Sequence, residues 1–196
     1  MVKILDNDKS LPEVKILENI SFSDNRGGFN KIFSDEIKNI FDDQIVEVFY
    51  SKNKKDVIRG IHFQKDPYQI SKIINCVEGK ILDFYIDLRK NSLTFGTFSS
   101  QVLSSKNNLS VFIPKGFGHG FSVLSNSATV LYLQSGSYIP ESEGGINPLS
   151  VNFDWQISHP IISNRDRNHP NFTTTSDEIK LWSIYGERKK ITESTR

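Results

Sequence analysis

Apolar residues recur along the chain in short alternating or continuous runs, at 14–17, 28–33, 45–50, 57–63, 71–77, 80–88, 96–103, 109–113, 120–124 and 128–133. Runs of this length and spacing, parted by turn residues, predict the short strands of a β-sandwich or barrel. The separators have a turn mechanism of their own. Gly79 tolerates positive φ between two runs, and Ser104 to Asn108 is a polar loop. Helical windows are confined to about 34–41 and 176–185. The second opens on Ser176 as N-cap, with Asp177 and Glu178 at the positive end of the helix dipole. From 138 to 170 the chain is rich in Gly, Pro, Ser and Asn, which predicts a long irregular crossing over the sandwich. No repeat, low-complexity tract or linker divides it. The expectation is one all-β domain over 1–196, with its core at about 14–170, a C-terminal helix and tail at 171–196, and a few short peripheral helices.

Composition sharpens this picture. Ala128 is the one alanine, against 14 Phe and abundant Val, Ile, Ser and Thr, which is strand chemistry rather than helix-bundle chemistry. Lys and Arg number 24 against 23 Asp and Glu, a formal charge of +1. That balance argues against a nucleic-acid or membrane-surface binder, so an anionic ligand must meet a local cluster of cations. The single Cys76 excludes a disulfide framework within the chain and an all-thiolate zinc site. No apolar run approaches the roughly 20 residues needed to span a bilayer, and acidic residues stand where an export signal needs an apolar stretch. A cytoplasmic location is expected.

Chemistry has few carriers. Two of the four histidines sit where small residues run into a strand, His62 in RGIHFQ (59–64) and His119 in IPKGFGHGF (113–121). Glycines beside a histidine let backbone approach a ligand closely, although each histidine alone also reads as a hydrogen-bonded structural residue. A metal site on such a sandwich usually needs paired imidazoles, as in His-x-His, and position 64 is Gln64, so no metal is expected. Cationic candidates near His62 are Arg59, three residues before it on the same stretch, and Lys72, ten residues later on the next predicted strand. A guanidinium fork suits a diphosphate, and an ammonium suits a single developing oxyanion. Tyr132 alternates with Val130 and Gln134 and faces either a core or a cavity. Asp166 lies between Arg165 and Arg167 in a loop.

Taken together, Asp24 to Phe29 (DNRGGF), RGIHFQ, Lys72, DFYIDLR from Asp83, IPKGFGHGF, Leu131-Tyr132, Tyr138-x-Pro140-x-x-Glu143 and Ser163-x-x-Asp166 resemble the dTDP-4-dehydrorhamnose 3,5-epimerase family of nucleotide-sugar epimerases. The likeness runs collinearly from about Val14 to Pro170. It implies a metal-free, cofactor-free, cupin-like jelly roll that forms homodimers with strand exchange near the N-terminus. It also implies a nucleoside-diphosphate 4-keto-6-deoxy sugar as substrate, whose C4 carbonyl acidifies the protons on C3 and C5. By this resemblance His62 is the base, Asp166 its carboxylate partner, Tyr132 the acid on the opposite face, and Lys72 the charge beside the C4 oxygen. Arg26 and Arg59 match diphosphate-binding arginines, Arg26 supplied by the partner protomer. Phe29, His119, Glu143 and Arg165 fall on substrate-contact positions.

Three departures bear on specificity. Lys31 stands where the family has Glu, and Glu47 and Phe49 replace a Gln-x-Asn pair. Phe49 and Tyr50 are candidates to stack on a base, and Glu47 to accept hydrogen bonds, which points to another base or another sugar. The alternatives are epimerisation at C3 or C5 alone on a non-dTDP sugar, a cupin 3,4-ketoisomerase, disfavoured because Gln64 replaces its second histidine, and a noncatalytic sugar-nucleotide-binding module.

Overall fold

A computed structural model describes residues 2–41 and 44–173. In chain order its strands are β1 (Lys3–Asn7), β2 (Lys15–Glu18), β3 (Ile20–Asp24), β4 (Gly27–Lys31), β5 (Glu47–Lys54), β6 (Ile58–Gln64), β7 (Lys72–Glu78), β8 (Lys80–Asp87), β9 (Phe98–Ser104), β10 (Leu109–Ile113), β11 (Phe117–Val123), β12 (Ser127–Gln134) and β13 (Glu143–Gly145). They form a six-stranded sheet in the order β1-β2-β10-β7-β12-β5, a five-stranded sheet in the order β13-β6-β11-β8-β9, and the separate hairpin β3-β4. Each of the ten apolar runs contributes to a strand. The window at 34–41 forms a 3-10 helix (Asp35–Ile40). The helix expected at 176–185 lies outside the described residues, as does nearly all of the tail expected at 171–196.

Two-residue alternation assembles the core. From the six-stranded sheet Ile16, Ile74, Cys76, Val111, Ile113 and Val130 turn inward to meet Ile81, Tyr85, Leu103, Phe117, Phe121 and Val123 of the other sheet. Burial pushes the Cys76 thiol up to about 12, so it packs there as an inert apolar group. The outer faces are also covered. Ile73, Phe112 and Leu133 pack under Val2, Ile37 and Phe41. Phe84 and Ile86 pack under Ile146, Val151 and Trp155, so the irregular crossing lies where the sequence places it. Trp155 fixes that crossing, donating from Nε1 to the Pro148 carbonyl at 3.0 Å while its own carbonyl accepts from Ser122 Oγ at 2.8 Å. The result is a cupin-like jelly roll, apolar through most of its length and open at one end.

A candidate active site at the open end of the sandwich

Rows of cross-strand neighbours show how the core gives way to a cavity. On the six-stranded sheet, Ser51, Val130 and Cys76 form one inward row. Phe49, Tyr132 and Ile74 form the next, and Glu47, Gln134 and Lys72 the last. Polarity therefore rises toward the mouth, where a cavity of about 360 Å³ is lined by Ser51, Phe49, Tyr132 and the whole of the last row, together with Arg59, His62, His119, Tyr138, Glu143 and Arg165.

The opposite wall depends on a bulge. Arg59 and His62 are three positions apart, so in a regular strand they would point to opposite faces. In the pairing of β6 with β11, His119 opposes His62 and Phe121 opposes Arg59, so β6 carries one residue more than its partner. That extra residue restores both side chains to the cavity while Ile58 and Ile61 stay in the outer core. Gly60 makes the bulge feasible. Its φ is +106°, and a Cβ there would lie 2.6 Å from both Gly120 Cα and the His119 carbonyl oxygen.

Asp166 reaches His62 from 104 residues away. Ile58 N–H donates to the Ile161 carbonyl and Ile161 N–H to the Asp56 carbonyl, which docks the end of the crossing beside β6. The short helix α1 (Asn164–Arg167) then begins with Ser163 Oγ accepting from Asp166 N–H at 3.0 Å. The buried Asp166 carboxylate lies 2.8 Å from His62 Nε2 and accepts from Gly60 N–H at 3.2 Å and Arg165 Nε at 3.3 Å. Burial opposes its ionisation, but the His62 hydrogen bond and charge, the Gly60 amide and Arg165 outweigh burial and hold the carboxyl well below the usual range. An ionised Asp166 fixes the proton on His62 Nε2 and leaves Nδ1 as the basic nitrogen.

A second pair forms the floor. Asp83 projects inward between Ile81 and Tyr85 on β8 and meets His119 Nε2 at 2.8 Å. Burial pushes the Asp83 carboxyl up, against the influence of His119 and Lys72. Lys72 is lowered to about 8 by burial, with Asp83 and Glu143 opposing the shift. Tyr132 is buried, which pushes its phenol up, and its ring stacks on Phe49 with centroids 4.7 Å apart and planes 13° from parallel.

Around the rim, Arg59 Nε donates to Asn53 Oδ1 at 2.5 Å. Arg165 spans Glu143 and the His62–Asp166 pair, and Tyr138 Oη donates to Glu143 at 2.8 Å. Glu47 accepts from Gln134 Nε2 and from Tyr138 N–H, so its carboxylate fastens the segment after β12 across the mouth.

Ten of the twelve sequence-derived site residues thus meet at one cavity, Asp166 from behind His62, and two do not. Arg26 and Phe29 line a separate hollow on the β3-β4 hairpin, where Arg26 is exposed and paired with Asp24 at 2.6 Å. Tyr50 also departs from its expected place. It and Val48 face outward from β5, because neighbours on a strand cannot share a face, so only Phe49 is available to stack on a ligand. The sequence reading passed over Ser51, Asp83 and Gln134. The signal was present: each lies two residues from an inward neighbour, and Asp83 is a charge in an otherwise apolar alternation.

A histidine held by a carboxylate, a buried phenol and a cavity lysine define a jelly-roll enzyme equipped to take a proton from a carbon acid and return one. Comparison with known proteins narrows the class. Residues 8–174 match the model of the dTDP-4-dehydrorhamnose 3,5-epimerase family. The dTDP-4-dehydrorhamnose 3,5-epimerase of Escherichia coli K12 is 38% identical over 162 residues, covering 80% of this chain and 88% of its own. The Legionella pneumophila dTDP-6-deoxy-D-glucose-3,5-epimerase, solved with dTDP-4-keto-L-rhamnose, superposes with a TM-score of 0.83 at 31% identity, covering 91% of this chain and 97% of that one. A 3'-monoepimerase from Streptomyces bikiniensis, solved with dTDP-quinovose, gives 0.77 at 29%, with 85% and 87% covered. The chain belongs to the dTDP-4-dehydrorhamnose 3,5-epimerase family, and it is an isomerase acting on nucleotide sugars.

Proposed function

We propose that the cavity epimerises a nucleoside-diphosphate 4-keto-6-deoxy sugar at C3, C5 or both through an enolate. The observation that carries this reading is the His62–Asp166 pair facing Tyr132 and Lys72 across one cavity. His62 Nδ1 takes the proton next to the carbonyl, and Asp166 stabilises the imidazolium that results. Positioned proton transfer of this kind contributes about 10² to 10⁴-fold in rate. The Lys72 ammonium faces the C4 oxygen as charge develops on it. Tyr132, protonated throughout the working pH range because burial raises its pKa, delivers a proton from the other sheet and so to the opposite face of the sugar. His119, held by Asp83, and Glu143 with Arg165 contact the sugar. Arg59 contacts the diphosphate, and Phe49 forms an apolar wall beside the acid.

The second diphosphate arginine comes from another copy of the chain. The β3-β4 hairpin pairs with no other strand among the described residues, and it exposes Phe22 and Phe29. An isolated two-stranded ribbon is marginal in water, so it requires a surface to lie on. A homodimer that exchanges this N-terminal region would bring Arg26 and Phe29 to the neighbouring cavity. The enzyme works in the cytoplasm as a single domain, with no metal or organic cofactor in the reaction.

Proton NMR in D₂O with 4-keto-6-deoxy sugars on dTDP, GDP and CDP tests the assignment. Deuterium entering C3, C5 or both of one of these sugars is the expected result, and the preferred nucleotide identifies the base. Tight binding with no exchange into any of them would leave a noncatalytic binding module.

A further inference from the structure

A third imidazole stands behind the catalytic pair. His169 follows α1 by two residues, and its ring lies 5.8 Å from that of His62, 75° from coplanar. It packs on Gly145, the residue that opposes His62 across the β13-β6 ladder. A Cβ on Gly145 would lie 2.3 Å from His169 Cδ2 and Nε2, so only glycine leaves room for this ring. His169 Nε2 is buried without a hydrogen-bond partner among the described residues, a costly state for a ring nitrogen. His62, Asp166 and His169 each offer one ligating atom, and all three atoms lie within 4.8 Å of one another.

We propose that His62, Asp166 and His169 form a binding site for a divalent transition-metal ion of the zinc class, whose occupancy switches the enzyme off. Two imidazoles and one carboxylate are a donor set such ions favour, with a fourth position left to water. The sequence test for paired histidines, His-x-His, fails at Gln64 and misses this arrangement. The second imidazole comes from 107 positions beyond His62 and is brought back by the docking of the crossing on β6.

Zinc ligands sit about 2.0–2.2 Å from the ion, which places tetrahedral neighbours about 3.3–3.6 Å apart. His62 Nε2 and Asp166 Oδ1 are already 2.8 Å apart, so the main adjustment is a rotation of His169 toward them. Arg165 opposes entry, with NH2 3.0 Å from His62 Nε2 and Nε 3.3 Å from Asp166 Oδ1. The guanidinium is half exposed and also held by Glu143, so it can swing outward along that bond to admit the ion. The displacement makes this a reversible inhibitory site rather than a structural one. An ion there removes the carboxylate from His62 and immobilises the base.

Calorimetric titration of the full-length enzyme with Zn²⁺, without substrate, tests the site independently of the proposed reaction. Only the link to inhibition rests on His62 being the base. The wild type is expected to bind one ion and to lose turnover reversibly, with recovery on adding EDTA. His169→Ala and His169→Gln, the latter filling the hollow over Gly145 without an imidazole, are expected to turn over normally and to bind at least about tenfold more weakly. Arg165→Ala is expected to bind more tightly. Zinc affinity unchanged in both His169 variants would overturn the site, and stoichiometric binding without loss of turnover would overturn the switch.

Discussion

Lys72 shows how position sets the chemistry of a single side chain. An exposed lysine remains charged far above neutral pH, but enclosure at the end of the sandwich brings this one down to about 8 despite the nearby Asp83 and Glu143 carboxylates. The cation proposed to favour the enolate is present below that pH and lost above it. kcat/KM is therefore expected to fall along a basic limb centred near 8. Lys72→Met is expected to lower kcat by about 10² to 10³-fold, the usual loss on removing one oxyanion partner, and to abolish that limb. A limb that persists in the variant would assign it to another group. The sequence identifies Lys72 as a cation, but its altered acidity arises from the enclosing walls. Asp83 was passed over although its signal was present, because a charge at an inward position of an apolar strand needs a partner, and His119 supplies it.

At the level of elements, period-two patterning brought out every strand that buries a face. It missed β1, β3 and β13, whose residues are exposed or whose pairing spans only three positions, so burial imposes no alternation on them. The bulge in β6 was equally hidden, since nothing in RGIHFQ says that Arg59 and His62 share a face until β11 is laid beside it. Gly60→Ala tests that device. Holding alanine at positive φ costs about 1–3 kcal/mol, and the added methyl also meets backbone of β11. Urea unfolding is expected to show at least this loss, accompanied by a fall in kcat as Arg59 and His62 shift. Unchanged stability and kcat would mean that the site does not depend on the bulge.

The whole molecule accounts for what the chain alone lacks. In the proposed homodimer, near-neutral net charge is compatible with a diphosphate site because two arginines would suffice, Arg59 in the cavity and Arg26 on the exposed hairpin. Mixing Arg26→Ala with His62→Ala subunits under conditions that allow exchange tests the dimer. If Arg26 serves the neighbouring cavity, half of the dimers are mixed and each has one intact site, so about a quarter of wild-type activity is expected to return. No recovery would place Arg26 in its own chain's site, and undiminished activity of Arg26→Ala alone would place it outside the reaction. The motifs were legible as a collinear set, and the family resemblance already paired His62 with Asp166, but nothing in the spacing of two residues 104 apart shows how they meet until the fold brings the crossing back to β6. That pairing is the core of the account, and deuterium exchange into a 4-keto-6-deoxy nucleotide sugar, compared between wild type and His62→Ala, tests it most directly. The wild type is expected to label carbons adjacent to the carbonyl, with exchange reduced by about 10² to 10⁴-fold in the variant. Exchange at an undiminished rate in His62→Ala would contradict the assignment of the base.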